Sequence, residues 1–306
     1  MKVAIIGAGG VGGYYGGLLA RAGCDVHLLA RGAHLDALRT RGLEIRTPEA
    51  TWTTSVHATD DPAVLAGAFG PGDLVVVAVK AYSLAEVAPA VGLLAERGAT
   101  VLPLLNGVDA ASSLVGLGVA REQLLGGVTY ISAARTGPGL IELRSAFQRV
   151  LMGELHGGVS ERASRIAAAF GHAGADAQAV DDIALALWQK FVFLVSLSAV
   201  CGLARSPIGP LRETALGRRL IERAVREAVA VGRARGVALP EDEEARVLGL
   251  VDSLPAAMKP SLLLDLETGG RTELDVLSGA VARFAAEVAI ETPIHDTAAA
   301  VLGIGH

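Results

Sequence analysis

Lys2-Val3-Ala4-Ile5-Ile6-Gly7-Ala8-Gly9-Gly10-Val11-Gly12 is the stretch that decides the fold. Val3 to Ile6 is a short, wholly apolar run that stops at glycine, the pattern of a strand buried on both faces. Val11 to Ala22 then reads as a helix closing at Gly23. Between strand and helix, Gly7, Gly9 and Gly12 fit G-x-G-x-x-G, here in the strand-turn-helix setting that gives the motif its meaning. Gly7 permits a tight turn, Gly9 lets a ligand approach the backbone, and Gly12 lets helix pack on strand. The free N–H groups and positive dipole end of such a helix suit a pyrophosphate. Residues Gly7, Ala8, Gly9, Gly10, Val11 and Gly12 are therefore expected to bind a dinucleotide.

Working outward, Asp25 to Leu29, Asp73 to Val79 and Thr100 to Leu104 read as further strands, with helical stretches such as Ser83 to Glu96 between them. Strand alternating with helix implies right-handed crossovers and a parallel sheet. Residues 125–153, around Gly137-Pro138-Gly139, are expected to form the later, partly antiparallel part of that sheet. The pattern changes near residue 180. Helical periodicity then runs through 181–204, 215–236, 242–253, 272–288 and 293–302. The expectation is an α/β Rossmann-type N-terminal domain, residues 1–179, followed by an all-α C-terminal domain, residues 180–306. Ligands of such sheets bind at the carboxyl ends of the strands.

Which dinucleotide binds depends on the end of the second strand. Enzymes using NAD place an acid there for the ribose 2′-hydroxyl. This chain has Leu29-Ala30-Arg31-Gly32, and Arg31 can grip a 2′-phosphate through paired bonds. NADP(H) is the expected cofactor. Lys80 follows Asp73 to Val79 at the same edge, as Asn106-Gly107 follows the next strand.

Bulk composition excludes several classes. The 306 residues are 51% hydrophobic and 19% charged, with a net charge of -5, so an ordered protein without a nucleic-acid footprint is expected. Arg218, Arg219, Arg223, Arg226, Arg233 and Arg235 alternate with Glu222 and Glu227, as on a solvated helix face. Cys24 and Cys201 form no motif and are expected to be buried thiols in a reducing cytoplasm. The seven histidines lack HxxxH spacing, and no metal site is expected. With the first strand at Lys2, no secretory leader is expected. Phe191 to Ala204 is apolar but shorter than a bilayer span, so no membrane role is expected.

Only four of the 27 basic residues are lysines: 2, 80, 190 and 259. Arginine does not release its proton near neutral pH, whereas a buried lysine can. Lys190 lies in Trp188-Gln189-Lys190-Phe191-Val192-Phe193, unusually apolar surroundings, with Leu194 and Ser198 one and two helical turns on. Farther along come Lys259-Pro260-Ser261 and Gly270-Arg271-Thr272-Glu273-Leu274-Asp275. Thr272 and Asp275 have capping-box spacing, which puts Glu273 in a first helical turn.

The glycine motif with Arg31, the step Val79-Lys80-Ala81, Asn106-Gly107, Trp188-x-Lys190, Ser261 and Thr272-Glu273-Leu274-Asp275 together resemble the ketopantoate reductase (2-dehydropantoate 2-reductase) family along the whole chain. The resemblance implies a cytoplasmic, NADPH-dependent reduction of the 2-keto acid ketopantoate to pantoate, toward pantothenate and coenzyme A. Arg31 and Lys80 would hold the 2′-phosphate end. Asn106 would contact cofactor and substrate. Lys190 would be the general acid, and Glu273 would orient it and the substrate hydroxyl beside the cofactor. Ser261 would bind the substrate carboxylate. Well-known members carry asparagines where this chain has Leu194 and Ser198, both expected to line the substrate site, and where it has Ser278. Those changes leave open a paralogue acting on another bulky 2-keto acid. A non-catalytic NADP(H)-binding regulator is the other alternative, and the apolar later helices allow a homodimer.

Overall fold

A computed structural model describes residues 1–304. The chain divides into two compact units. One comprises Met1–Leu105 and Asp109–Ile183, the other Asn106–Val108 with the chain from Ala184 onward.

The first unit contains strands β1 (Lys2–Ile6), β2 (Asp25–Leu29), β3 (Leu43–Arg46), β4 (Thr51–Thr54), β5 (His57–Thr59), β6 (Leu74–Val77), β7 (Thr100–Pro103), β8 (Leu125–Tyr130), β9 (Ala133–Gly137), β10 (Leu140–Leu143), β11 (Arg149–Glu154) and β12 (Asp176–Ala179). Its helices are α1 (Gly10–Arg21), α2 (Gly32–Arg41), α3 (Pro62–Gly67), α4 (Leu84–Glu96), α5 (Ala110–Gly116) and α6 (Glu161–His172). The central sheet runs β5-β2-β1-β6-β7, and every pairing in it is parallel. The chain builds outward from β1 to β2 and β5, then crosses to β6 and β7. The strand order therefore reverses between β1 and β6, where sheets of this kind bind ligands. Val3 to Ile6 and Leu74 to Val77 have no exposed surface, as their unbroken apolar runs require.

The pieces within 125–153 do not extend this sheet as expected. β9 and β10 join β3 and β4 in a four-stranded sheet, β4-β3-β10-β9. β8 and β11 form a three-stranded sheet with β12, tied to β7 by one bridge, Val101 to Leu124. Helix α1 is buried between two of these layers. A side chain at Gly16 would meet Ile5 of the central sheet, and one at Gly13 or Gly17 would meet Ile141 or Ile45 of the second. β3, β4 and β5 are short and half exposed, so their alternation carries little apolar signal.

The second unit is helical: α7 (Ile183–Ala204), α8 (Ile208–Arg212), α9 (Ala215–Ala234), α10 (Glu243–Ser253), α11 (Ser261–Glu267), α12 (Ser278–Glu287) and α13 (Pro293–Leu302). Its core includes Phe191, Val192, Val195, Val200 and Cys201 of α7, packed with Ala224, Val225, Ala228 and Val281. At 22 residues and a mean hydropathy of 1.9, α7 is long and apolar enough to cross a bilayer. Its length therefore does not argue against a span; its place in the core of this unit does. Gly232 of α9 sits against the Trp188 indole, where a Cβ would come within 2.8 Å of the ring.

Three local readings need correction. No capping box forms at Thr272, because Glu273 to Val276 enter a 3₁₀ turn and α12 begins only at Ser278. Glu227 is not on a solvated face: it is buried, and its carboxylate accepts from the N–H groups of Ile294 and His295 at 3.1 Å, closing the start of α13. Cys201 is buried, but Cys24 is only partly so.

Candidate active site

In the first unit, Gly7 has a φ of +103°, and a Cβ there would lie 2.7 Å from the Ala78 backbone. Only glycine makes that turn while β1 and β6 stay adjacent. Gly12 is closed in the same way, its Cβ position 2.2 Å from the Gly7 carbonyl oxygen. At Gly9 nothing lies within 4 Å of a Cβ position, so this residue opens onto free space. Gly9 also precedes α1 without a side-chain cap, and the first turn of α1 holds no acidic residue. An uncapped, acid-free helix start beside an open glycine fits a pyrophosphate. Ala8 is buried and Val11 packs on the core, so both shape the loop through their backbone.

Arg31 precedes α2 at the end of β2, and Lys80 follows β6; both are exposed. They lie past the carboxyl ends of the two strands that flank β1. Arg31 Nη1 is 2.7 Å from Glu86 Oε1, and both side chains are mostly exposed. This acid stands 55 positions past Arg31, too far along the chain for an inspection of the strand end to find it. His34 is a second residue that sequence reasoning missed. It is buried, and its Nδ1 accepts from the N–H of Gly139 at 2.9 Å, fastening the β9–β10 turn to α2. Burial, and then Arg135, hold its pKa below the ordinary value.

The second unit brings Asn106, Lys190 and Glu273 together. Lys190 Nζ donates to Asn106 Oδ1 at 3.0 Å, and Asn106 Nδ2 donates to Glu273 Oε2 at 3.3 Å. Glu273 is buried and Lys190 is half-buried on α7. Burial pulls the Lys190 ammonium from its usual 10.5 down to about 8, against the opposing pull of the Glu273 carboxylate. The result is an amine that is mostly protonated at neutral pH yet releases a proton readily, which suits a general acid.

Leu194 lies one turn past Lys190, partly buried against the helical core. Ser198 is fully buried, and its Oγ has no hydrogen-bond partner among the described residues. Ser278 is also fully buried, with Oγ 3.3 Å from His295 Nδ1. Ser261 is exposed at the start of α11 and is not part of the hydrogen-bonded trio. Beside it, Lys259 pairs with Glu267 at 2.8 Å.

The first unit carries an open glycine turn at the switch point of its sheet, and the second a lysine whose pKa is lowered to about 8, features that suit an oxidoreductase. Residues 3–157 match the family model for Ketopantoate reductase PanE/ApbA, and residues 182–304 match its C-terminal counterpart. The chain is 36% identical to a 2-dehydropantoate 2-reductase of Halobacterium salinarum, over 98% of this chain and 97% of that one. It is 32% identical to the uncharacterized oxidoreductase YkpB of Bacillus subtilis, over 97% and 96%. Its structure superposes on a 2-dehydropantoate 2-reductase of Geobacter metallireducens with a TM-score of 0.90 at 28% identity, covering all of both chains. The chain belongs to the ketopantoate reductase family, whose members are nicotinamide-dependent oxidoreductases.

Proposed function

We propose that this chain reduces 2-dehydropantoate to pantoate with NADPH in the cytoplasm, a step toward pantothenate and coenzyme A. The observation that carries the reading is the hydrogen-bonded chain Lys190–Asn106–Glu273, in which burial lowers the pKa of the lysine. In the division of labour we propose, residues 1–179 hold the cofactor and residues 180–306 the keto acid. Gly7 to Gly12 would seat the pyrophosphate, and Arg31 and Lys80 the 2′-phosphate. When bound, the nicotinamide supplies a hydride to the keto carbon. Lys190 Nζ delivers the proton to the keto oxygen and becomes the neutral amine. Asn106 orients the lysine and contacts both cofactor and substrate. Glu273 holds the far side of the Asn106 amide and keeps the ammonium charged until the proton leaves. Ser261 would receive the substrate carboxylate, and Leu194 and Ser198 would border its side chain.

A second reading, another bulky 2-keto acid as substrate, is favoured by the groups that follow Lys190. Leu194 offers no hydrogen bond, and the Ser278 hydroxyl is engaged with His295. A substrate site bordered by these residues would discriminate by shape more than by polar contacts.

The test is NADPH absorbance decay with ketopantoate and a panel of bulky 2-keto acids, run beside Lys190→Ala. The reading predicts turnover of ketopantoate and a loss of about 10²–10⁴-fold in the variant. Turnover of another acid alone replaces the substrate and keeps the mechanism. NADPH binding with no turnover of any acid gives the regulator alternative.

A further inference from the structure

At the end of the central sheet away from the glycine loop, three potential metal ligands converge. β2 and β5 pair in parallel, with His27 directly opposite His57. Asp25 lies two residues before His27, so the pleat points both side chains to the same face. His27 Nε2 is 2.9 Å from Asp25 Oδ1, and His57 Nε2 is 3.5 Å from the same oxygen. The two imidazoles stack with centroids 4.6 Å apart and planes 25° apart, and one ligand atom from each of the three residues falls within 4.8 Å of the others.

Hydrogen bonding leaves this arrangement incomplete. His27 Nε2 is shielded from water, yet it makes no aligned hydrogen bond with the carboxylate beside it. The Phe69 ring packs against the His27 ring in a T-shaped pair, centroids 5.3 Å apart. Lys2 is the nearby cation; its ammonium donates to the Ala68 carbonyl at 2.6 Å, which turns it to a different partner.

We infer that Asp25, His27 and His57 form a three-ligand site for a borderline divalent transition metal such as zinc. Nitrogen and oxygen bonds of about 2.0–2.1 Å in a tetrahedron place neighbouring ligand atoms about 3.3 Å apart, near the two nitrogen–oxygen separations found here, and the exposed His57 ring turns out of the stack to aim at the same ion. Two imidazoles and a single carboxylate suit zinc, nickel or copper, and give calcium or magnesium too few oxygens. Three protein ligands leave one position for water. The site lies on a rigid strand pair, apart from the reductase residues. Its effect is to pin β5, a three-residue edge strand, to β2.

The test uses the untagged full chain, stripped with chelator and titrated with zinc by calorimetry, beside His57→Ala. The His57 side chain is 71% exposed, so its removal leaves the core intact. One equivalent should bind per chain and raise Tm. Affinity should fall at least about tenfold in His57→Ala, with the rise in Tm lost. In the copper-loaded protein, electron paramagnetic resonance should show two ligating nitrogens, reduced to one in the variant. Equal binding by wild type and His57→Ala, or no stoichiometric binding by wild type, overturns the proposal. Neither result bears on keto acid reduction, so failure here is distinct from failure of the proposed function.

Discussion

Asn106 Oδ1 accepts a hydrogen bond of 3.0 Å from Lys190 Nζ, contributed by a residue 84 positions further along the chain. The amide presents its oxygen to the ammonium and its nitrogen to Glu273, so one side chain fixes both charges. Exchanging the two ends of the amide would set donor against donor and acceptor against acceptor. Only one orientation of Asn106 therefore satisfies the site.

The lysine predicts the pH profile. Its folded pKa is about 8, so the rate of keto acid reduction should be level below that pH and fall about tenfold per unit above it. Glu273 raises that pKa, so Glu273→Gln should move the alkaline limb to lower pH. Lys190→Arg should remove the limb from the accessible range while lowering the rate, because guanidinium keeps its proton. An unchanged limb in both variants would assign the titration to another group.

Neighbouring glycines should fail in different ways. Gly9→Ala meets no atom within 4 Å and has an ordinary φ of −82°, so the fold should stand. Its methyl occupies the space a pyrophosphate needs, and cofactor affinity should drop roughly tenfold, about 1.4 kcal/mol. Gly10→Ala would place its Cβ 2.0 Å from the Ala133 carbonyl oxygen, which costs stability, about 1–3 kcal/mol. Chemical denaturation and cofactor titration of both variants separate the two effects.

Arg31 and Glu86 predict cofactor selectivity. An ion pair this exposed is worth about 0–1 kcal/mol and yields readily to a dianionic phosphate. Arg31→Ala should weaken NADPH about tenfold and leave NADH nearly unchanged, while Glu86→Gln should tighten NADPH by removing a repelling carboxylate. Equal losses for both cofactors in Arg31→Ala would remove the residue from 2′-phosphate recognition.

His295 should make the fold acid-sensitive. It is buried, with Nε2 3.0 Å from the Ala224 carbonyl, and burial pushes its pKa from 6.5 down to about 4. The unfolded chain therefore takes up the proton first. Stability is unaffected above about 6.5, declines as pH falls, and is reduced in full by about 3 kcal/mol below about 4. Glu227 beside it has a raised pKa from burial and works in the opposite sense, so the comparison must be made against His295→Gln. Urea denaturation at pH 7 and 4.5 should show a steeper loss for the wild type than for the variant.

The sequence by itself determined the strand-glycine-helix start, the parallel strands that follow and the change to helices near residue 180. Each of these is local: an apolar run of strand length, a turn that only glycine can make, a 3.6-residue period. The apolar setting of Lys190 was legible as well, but local sequence alone reads it equally as a lysine snorkelling to the surface, and its expected role came from the family resemblance. Only the tertiary structure decided that β9 and β10 leave the central sheet for β3 and β4, since short half-exposed strands choose partners by packing. It likewise decided that Thr272 caps no helix, that Glu227 turns inward to α13, and that Glu86 reaches Arg31. The Asn106 bridge spans residues 106 to 273, and the Asp25–His27–His57 cluster depends on the register of two strands. A side chain's partner across such distances is set by where folding brings the backbone, which no local pattern encodes.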